Sequence, residues 1–225
     1  MRRDVIAVIP AYRCAQSIGP VVEGVRRHLD RVIVVDDGSD DDTAVKAERA
    51  GADVVRSTVN QGKGAALQRG IAAALENSPP AVLLLDADGQ HDPADIPALV
   101  APWERGEADL VIGSRWGGKD SIPGARYWTN YIGSRVLSWM TGVELFDSQS
   151  GYRLLDGDLL RRLQLRSRRY AIESEIVIKA ARLGARLAHV PVRTIYGENP
   201  SHFRPVLDTF RISCAAIYFK VFDDR

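Results

Sequence analysis

Two aspartates stand one residue apart at the end of an aliphatic run, in the stretch LLLDADGQHD at 83–92. Carboxylates repel one another and are costly to remove from water. Asp86, Asp88 and Gln90 follow at two-residue spacing, so a turn there lets three oxygen-bearing side chains converge. Hard divalent cations such as Mg2+ or Mn2+ take oxygen ligands of this kind, keep several waters and bridge to phosphates. The plainer alternative is a solvated turn closed by side chain-to-backbone hydrogen bonds. A D-x-D pattern alone does not separate the two.

Other polar groups recur at the ends of apolar runs. In VIVVDDGSDDDT (32–43), Asp37 suits either hydrogen bonds from a nucleobase or ribose or a plain polar turn. Gly38 permits a tight turn, and Asp41 or Asp42 suits the N-cap of a following helix. In NQGKGAALQRG (60–70), glycines let backbone N–H groups approach a ligand where a helix begins. With Lys63 beside it, that helix start suits an anion such as pyrophosphate. The segment is not a P-loop, because Gly64 stands where Ser or Thr follows Gly-Lys and the upstream glycine is missing. No G-x-G-x-x-G follows the first apolar run, which disfavours a dinucleotide dehydrogenase. Arg115 in IGSR and Arg153 in DSQSGYR carry the planar donor fork that suits phosphate; a surface salt bridge is the alternative for each. Glu173 and Glu175 read as an acid pair or as the solvated face of a helix. The four histidines show no metal-ligand spacing.

These residues need a scaffold, and the pattern around them supplies one. VIAVIP, RVIVVDDGS, DVVRS, AVLLLDADG and ADLVIGSR read as strands. Between them, helices are predicted over Ile18 to Leu29, over DTAVKAERAGA with Gly51 as cap, over GKGAALQRGIAAALENS and over DIPALVAPWERG. Continuous Val/Ile/Leu strands alternating with helices imply an α/β fold, a mostly parallel sheet covered on both faces. Ligands in such folds bind at the carboxyl ends of the strands, so Asp36, Asp37, Asp86 and Asp88 are expected on one edge. The second half is less regular. Tyr127 to Met140 is helix-like, DSQSGYR a polar turn, IESEIVIKAARLGA an amphipathic helix and RLAHVPVRTIY a strand. The tail from Pro205 to Phe222 repeats apolar residues.

A chain of 225 residues suits one domain with a substantial core. A net charge of +1 argues against bulk attraction to nucleic acid. Cys14 and Cys214 form no metal-spaced pair, which fits a reduced cytosolic setting. Asp4 and Pro10 interrupt the apolar start, so no secretory signal is expected. No run approaches the roughly 18 to 20 apolar residues of a transmembrane helix, so a soluble or peripheral protein is expected.

Taken in order, VIPAYRCAQSI, VVDDGSDDDT, NQGKGAALQRG, LLLDADGQHDP, LVIGSR and DSQSGYR resemble family 2 glycosyltransferases. The group most resembled is the polyprenyl-phosphate sugar transferases of the dolichol-phosphate mannose synthase type. RLAHVPVRTIYGENPSHFRPVLDTFR is similar to the end of that group, so the resemblance covers almost the whole chain. It implies a single GT-A domain over 1–225, with a nucleotide-sugar-binding half at 1–115 and an acceptor-side half at 116–225. It further implies that Pro10, Ala11, Tyr12 and Asp37 contact the nucleotide and that Lys63 lies beside its phosphates. Asp86, Asp88 and Gln90 would hold Mg2+ or Mn2+. Arg115 and Arg153 would contact phosphate, and Ser201, His202 and Arg204 would serve the acceptor or closure. The implied reaction moves one sugar, with inversion, from a GDP- or UDP-sugar to polyprenyl phosphate. A lipid phosphate is already anionic and needs no strong base. A soluble hydroxyl acceptor remains the alternative and needs one, with Asp147, Glu173 or Glu175 as first candidates. A sugar nucleotidyltransferase is a further alternative. The chain lacks the Q-x-x-R-W motif of processive synthases and the membrane helices carried by many relatives. A place at the cytoplasmic face of a membrane is implied, through the 127–140 helix with Arg126 and Arg135 or through a membrane-protein partner.

Overall fold

The computed structural model describes residues 2–115, 133–139, 141–167 and 171–195. Ser201, His202, Arg204, Cys214, Arg126, the 205–222 repeat and residues 127–132 and 140 of the predicted 127–140 helix lie outside them.

Seven strands form one sheet: β1 (Arg2–Ala11), β2 (Leu29–Asp36), β3 (Asp53–Arg56), β4 (Ala81–Leu84), β5 (Leu110–Ser114), β6 (Arg153–Asp156) and β7 (Leu187–Pro191). Their order across the sheet is β3-β2-β1-β4-β6-β5-β7. All neighbours are parallel except β6, which runs antiparallel to both β4 and β5. Parallel pairing needs crossovers, and helices supply them. These are α1 (Ile18–Arg26), α2 (Thr43–Arg49), α3 (Lys63–Leu75) and α4 (Ile96–Glu104). The second half adds α5 (133–139), α6 (Gly157–Arg162) and α7 (Ile172–Arg182).

The period of two along each strand sends alternate side chains to opposite faces. Ile6, Val8, Ile33, Val35, Val82, Leu84, Leu110 and Ile112 pack with Leu67 and Ile71 of α3 and Ile176 and Val177 of α7. Val5, Ala7, Ile9, Val32, Val34, Leu83 and Val111 pack with Ile18, Val21 and Val22 of α1 and Ile96, Leu99 and Val100 of α4. Each such fully buried aliphatic side chain contributes about 1.5–3 kcal/mol, so the two-faced core expected from unbroken Val/Ile/Leu runs is present.

Two expectations need correction. The first helix ends at Arg26, and Leu29 opens β2; an apolar residue at helical spacing also satisfied a buried strand. The second half contains β6 and α6, which the sequence reading left as a turn and irregular chain. β6 has only 4 residues, too short for periodicity to register. Its direction matters for the site. An antiparallel strand begins where its parallel neighbours end, so Gly151, Tyr152 and Arg153 arrive at the carboxyl edge of β4 and β5. No helix among the described residues is long and apolar enough to cross a membrane.

Candidate active site

β1 pairs on one side with β2 and on the other with β4, so three neighbouring strands deliver their carboxyl ends to one place. A cavity of about 500 Å3 opens there, lined by Pro10, Ala11, Tyr12, Asp37, Asn60, Gln61, Gly62, Lys63, Ala66 and Asp86. It gathers Pro10, Ala11, Tyr12, Asp37, Lys63 and Asp86, which come from four separate motifs of the sequence.

At one end, Asp37 is buried. Its Oδ2 accepts from the backbone N–H groups of Gln61 at 3.0 Å and Gly62 at 2.7 Å. Its Oδ1 accepts from Arg69 Nη2 at 2.6 Å. Gly62 caps α3 with φ of 96°, a left-handed conformation that favours glycine. The sequence reading offered the loop's amides to pyrophosphate; two of them are given to Asp37 instead.

At the other end, Lys63 Nζ lies 2.6 Å from Asp86 Oδ1 and 2.7 Å from Glu173 Oε1. A lysine in the first turn of a helix opposes the helix dipole, and the two carboxylates offset that. Burial alone would lower the Lys63 ammonium, but Asp86 and then Glu173 hold it well above its ordinary value. Burial would raise Asp86, but Lys63 and then His91 hold it well below the usual carboxylate range. Gly151 makes room for this cluster: a Cβ there would stand 2.6 Å from Asp86 Oδ2.

Asp88 is exposed and is not among the residues named above as lining the cavity; its Oδ1 accepts from Gln90 N at 3.0 Å. The solvated-turn alternative is therefore realised at Asp88, while Asp86 turns into the cavity. The Asp88 carboxyl is pushed up, first by partial desolvation under the turn and then by the negative charge of Asp86; its exposure keeps that effect modest. Asp86 and Asp88 carry hard carboxylate oxygens of the kind that a divalent cation completed by phosphate oxygens and water would take. Gln90 follows in the same turn. Among the described residues no three His, Cys, Asp or Glu side chains form a metal-holding group.

The remaining candidates are placed differently. Arg153 is 1% exposed, because β6 sets it between Leu84 of β4 and Ile112 of β5. Its guanidinium donates to the carbonyls of Ser150 at 2.7 Å, Glu173 at 2.6 Å and Ser148 at 2.6 Å. Expected as a phosphate contact, it instead holds the loop around Gly151. Asp147, a candidate base, is 0% exposed and receives Arg115 in fork geometry, Nε to Oδ2 at 2.7 Å and Nη2 to Oδ1 at 3.0 Å. Burial would raise Asp147, but Arg115 holds it below the ordinary range, which makes it a poor base. Arg115 itself is partly exposed. Glu175 is no solvated face: it accepts from Arg166 N and Ser167 N, both at 2.8 Å, and lies 2.9 Å from Lys179. Of the acids named as bases only Glu173 reaches the cluster, and its Oε2 is buried with no hydrogen-bond partner among the described residues.

Sequence reasoning missed Arg69, the Lys63–Glu173 contact and the role of Gly151. The signal for Arg69 was a lone arginine in an otherwise small and apolar helix, AALQRGIAAAL. The other two depend on contacts between segments far apart in the chain, Gly151 with Asp86 and Lys63 with Glu173, and left no local trace.

Comparison with known proteins identifies the family. An undecaprenyl-phosphate mannosyltransferase of Micrococcus luteus is 33% identical, over 86% of this chain and 84% of that protein. A UDP-N-acetylglucosamine–dolichyl-phosphate N-acetylglucosaminyltransferase of Methanococcus voltae is 32% identical over 85% of each. Among solved structures, glucosyl-3-phosphoglycerate synthase from Mycobacterium tuberculosis, in complex with Mn2+ and uridine-diphosphate-glucose, superposes with a TM-score of 0.76 at 26% identity. That match spans 97% of this chain and 79% of the other. The family model for glycosyl transferase family 2 matches residues 6–160, more than half of the chain, which therefore belongs to that family as a nucleotide-sugar-dependent glycosyltransferase of the GT-A fold.

Proposed function

We propose that this enzyme transfers one sugar, with inversion, from a UDP- or GDP-sugar to polyprenyl phosphate, with Mg2+ or Mn2+ at Asp86 and Asp88. The observation that carries the reading is the single cavity with Asp37 at one end and the Lys63–Asp86–Glu173 cluster at the other. Its size suits a nucleotide diphosphate. Asp37 receives the nucleoside, with Pro10, Ala11 and Tyr12 beside it. Lys63 brings positive charge to the diphosphate end, and Arg115, oriented by Asp147, faces phosphate from the acceptor side. A divalent cation there would offset the negative charge that develops on the leaving diphosphate. The acceptor attacks the anomeric carbon from the face opposite the leaving group, so configuration inverts once.

The acid inventory favours a phosphate acceptor. Asp147 is bound by Arg115 and Glu175 by backbone amides and Lys179, so neither is available to deprotonate a hydroxyl. Both relatives named above carry a polyprenyl-type phosphate in their names. The competing reading, a soluble hydroxyl acceptor, draws on the likeness to glucosyl-3-phosphoglycerate synthase and would use Glu173 as base. Incubation of UDP- and GDP-sugars with polyprenyl phosphate and Mn2+ decides between them. A lipid-linked sugar is expected; transfer to phosphoglycerate or another soluble hydroxyl, with none to lipid, reverses the assignment. A place at the cytoplasmic face of a membrane follows from the lipid acceptor, and vesicle co-sedimentation tests it.

A further inference from the structure

We propose that Arg69 makes this cavity selective for a uracil nucleotide over a guanine nucleotide, by filling all but one of the acceptor positions of Asp37. The inference rests on the reading of the cavity as the nucleotide-sugar site, and it names the donor class that reading leaves open.

An ionised carboxylate offers about four lone-pair positions, two on each oxygen. On Asp37, Oδ2 takes two backbone N–H groups, from Gln61 and Gly62, and is full. Oδ1 takes Arg69 Nη2 at 2.6 Å, which leaves one position. Asp37 is 3% exposed, so solvent has little access to relax this count. It nevertheless lines the cavity, where a base can meet it.

The pairing edge of uracil carries a single N–H between two carbonyls. Guanine presents two adjacent donors, its ring N–H and its amino group. One acceptor position satisfies the uracil edge and leaves a guanine donor without a partner. The side-chain amides of Asn60 and Gln61, both lining the cavity, have donors for the uracil carbonyls. A polar group left unpaired in a desolvated site weakens binding about tenfold or more. Arg69 acts through Asp37 and is a positioning residue: it sets how many hydrogen bonds the carboxylate can still accept.

Titration calorimetry on the full chain with UDP and with GDP, each with Mn2+, keeps the diphosphate and cation constant and varies only the base. UDP is expected to bind at least about tenfold tighter. Arg69→Met, which empties the second position on Oδ1, is expected to bring the ratio to within about threefold, chiefly by strengthening GDP binding. Arg69→Lys keeps one N–H donor for Oδ1 and is expected to keep the preference, and it serves if Arg69→Met does not fold. Equal or tighter binding of GDP by the unaltered protein overturns the inference while leaving the nucleotide site standing. An unchanged ratio in Arg69→Met, or a lost preference in a folded Arg69→Lys, removes Arg69 from the account. Binding of neither nucleotide overturns both the site and the inference.

Discussion

Asp37 and Asp147 are buried carboxylates in opposite halves of the chain, and they are stabilised in different ways. Asp37 is held by two backbone amides from the loop before α3 and by Arg69, one turn beyond Ala66 in the same helix. Asp147 takes its fork from Arg115, 32 residues away. The contrast extends across the two halves. In the first half, polar side chains at the strand ends open onto the cavity. In the second half, several are buried and joined to one another. Arg153 ties together three carbonyls, Glu175 caps two amides, and Ser134 and Ser148 share a hydrogen bond of 3.1 Å. Irregular chain carries backbone polar groups that no ladder satisfies, so a half built from turns needs a polar framework where a half built from strands does not. The halves meet at the D-x-D turn, where His91 bridges to Thr194 and Ile195 N donates to Gln90 O at 3.0 Å.

Breaking the framework is expected to have the largest effect. Arg153→Met strands three buried carbonyls, each costing about 1 kcal/mol or more. A loss of at least about 3 kcal/mol in urea denaturation, or insoluble protein, is expected; a change under about 1 kcal/mol would show that the loop does not depend on Arg153.

Lys63→Met comes next. It leaves Asp86 and Glu173 as neighbouring carboxylates without their cation. Removing one partner of a buried pair costs about 3–5 kcal/mol; with Asp86 28% exposed in its side chain, about 2 kcal/mol is expected. Turnover should fall at least about a hundredfold. A Lys63→Met protein with normal stability would dissolve the distinction between the two ends of the cavity.

The same cluster sets a pH dependence. Asp86 and Asp147 are both held below the ordinary carboxylate range. Their contribution to stability is present above about pH 4 and lost as pH falls through their lowered values. Lys63 is held above its ordinary value, so its contribution is complete below about pH 10 and lost at higher pH. Denaturation midpoints should therefore be flat near neutrality and fall steeply in acid. In Lys63→Met the acid fall should shrink, leaving the Asp147 share.

Gly151→Ala probes the close approach of the second half to Asp86. The added Cβ displaces a carboxylate that it would meet at 2.6 Å, and misplacement of about 1 Å costs about a hundredfold in rate. A fall in turnover of about ten- to a hundredfold is expected, with weaker Mn2+-dependent UDP binding. Unchanged turnover would detach Asp86 from the chemistry.

The smallest effect is expected from Asp88→Asn. A raised carboxyl carries an ionisation penalty in the folded protein, which the amide removes. Because Asp88 is exposed, the neutral-pH gain is a few tenths of a kcal/mol at most. Thermal stabilisation by Mn2+ with nucleotide should disappear at the same time, the trade expected of a functional residue. If the Mn2+ response survives, Asp88 is only a turn residue.

Much of the first half was legible because its signals are local. Unbroken Val/Ile/Leu runs specify buried parallel strands, and a polar residue directly after such a run lies at the ligand edge whatever else the chain does. That logic placed Asp37 and Asp86, the glycine-flanked helix start placed Lys63, and the cavity joins them. The second half resisted the same reading. Glu173 and Glu175, spaced like a solvated helix face, are buried because Lys63 and the 166–167 amides reach them from elsewhere. Arg153 carries the residue type of a phosphate contact, yet its position in β6 between two apolar strands turns its donors onto the main chain.

By itself, the sequence determined the strand–helix alternation, the edge at which polar residues collect, and the order of motifs that marks the family. Those follow from periodicity and from chemistry within a few residues. Only the tertiary structure decided which charges are paired and which are still open to a ligand. Lys63 reaches Glu173, Asp37 keeps one acceptor position beside Arg69 and two amides, and Arg153 is withdrawn from the cavity. Pairing is set by contacts between distant segments, and in a low-dielectric interior each contact fixes whether a charged group is committed to the fold or available to a substrate.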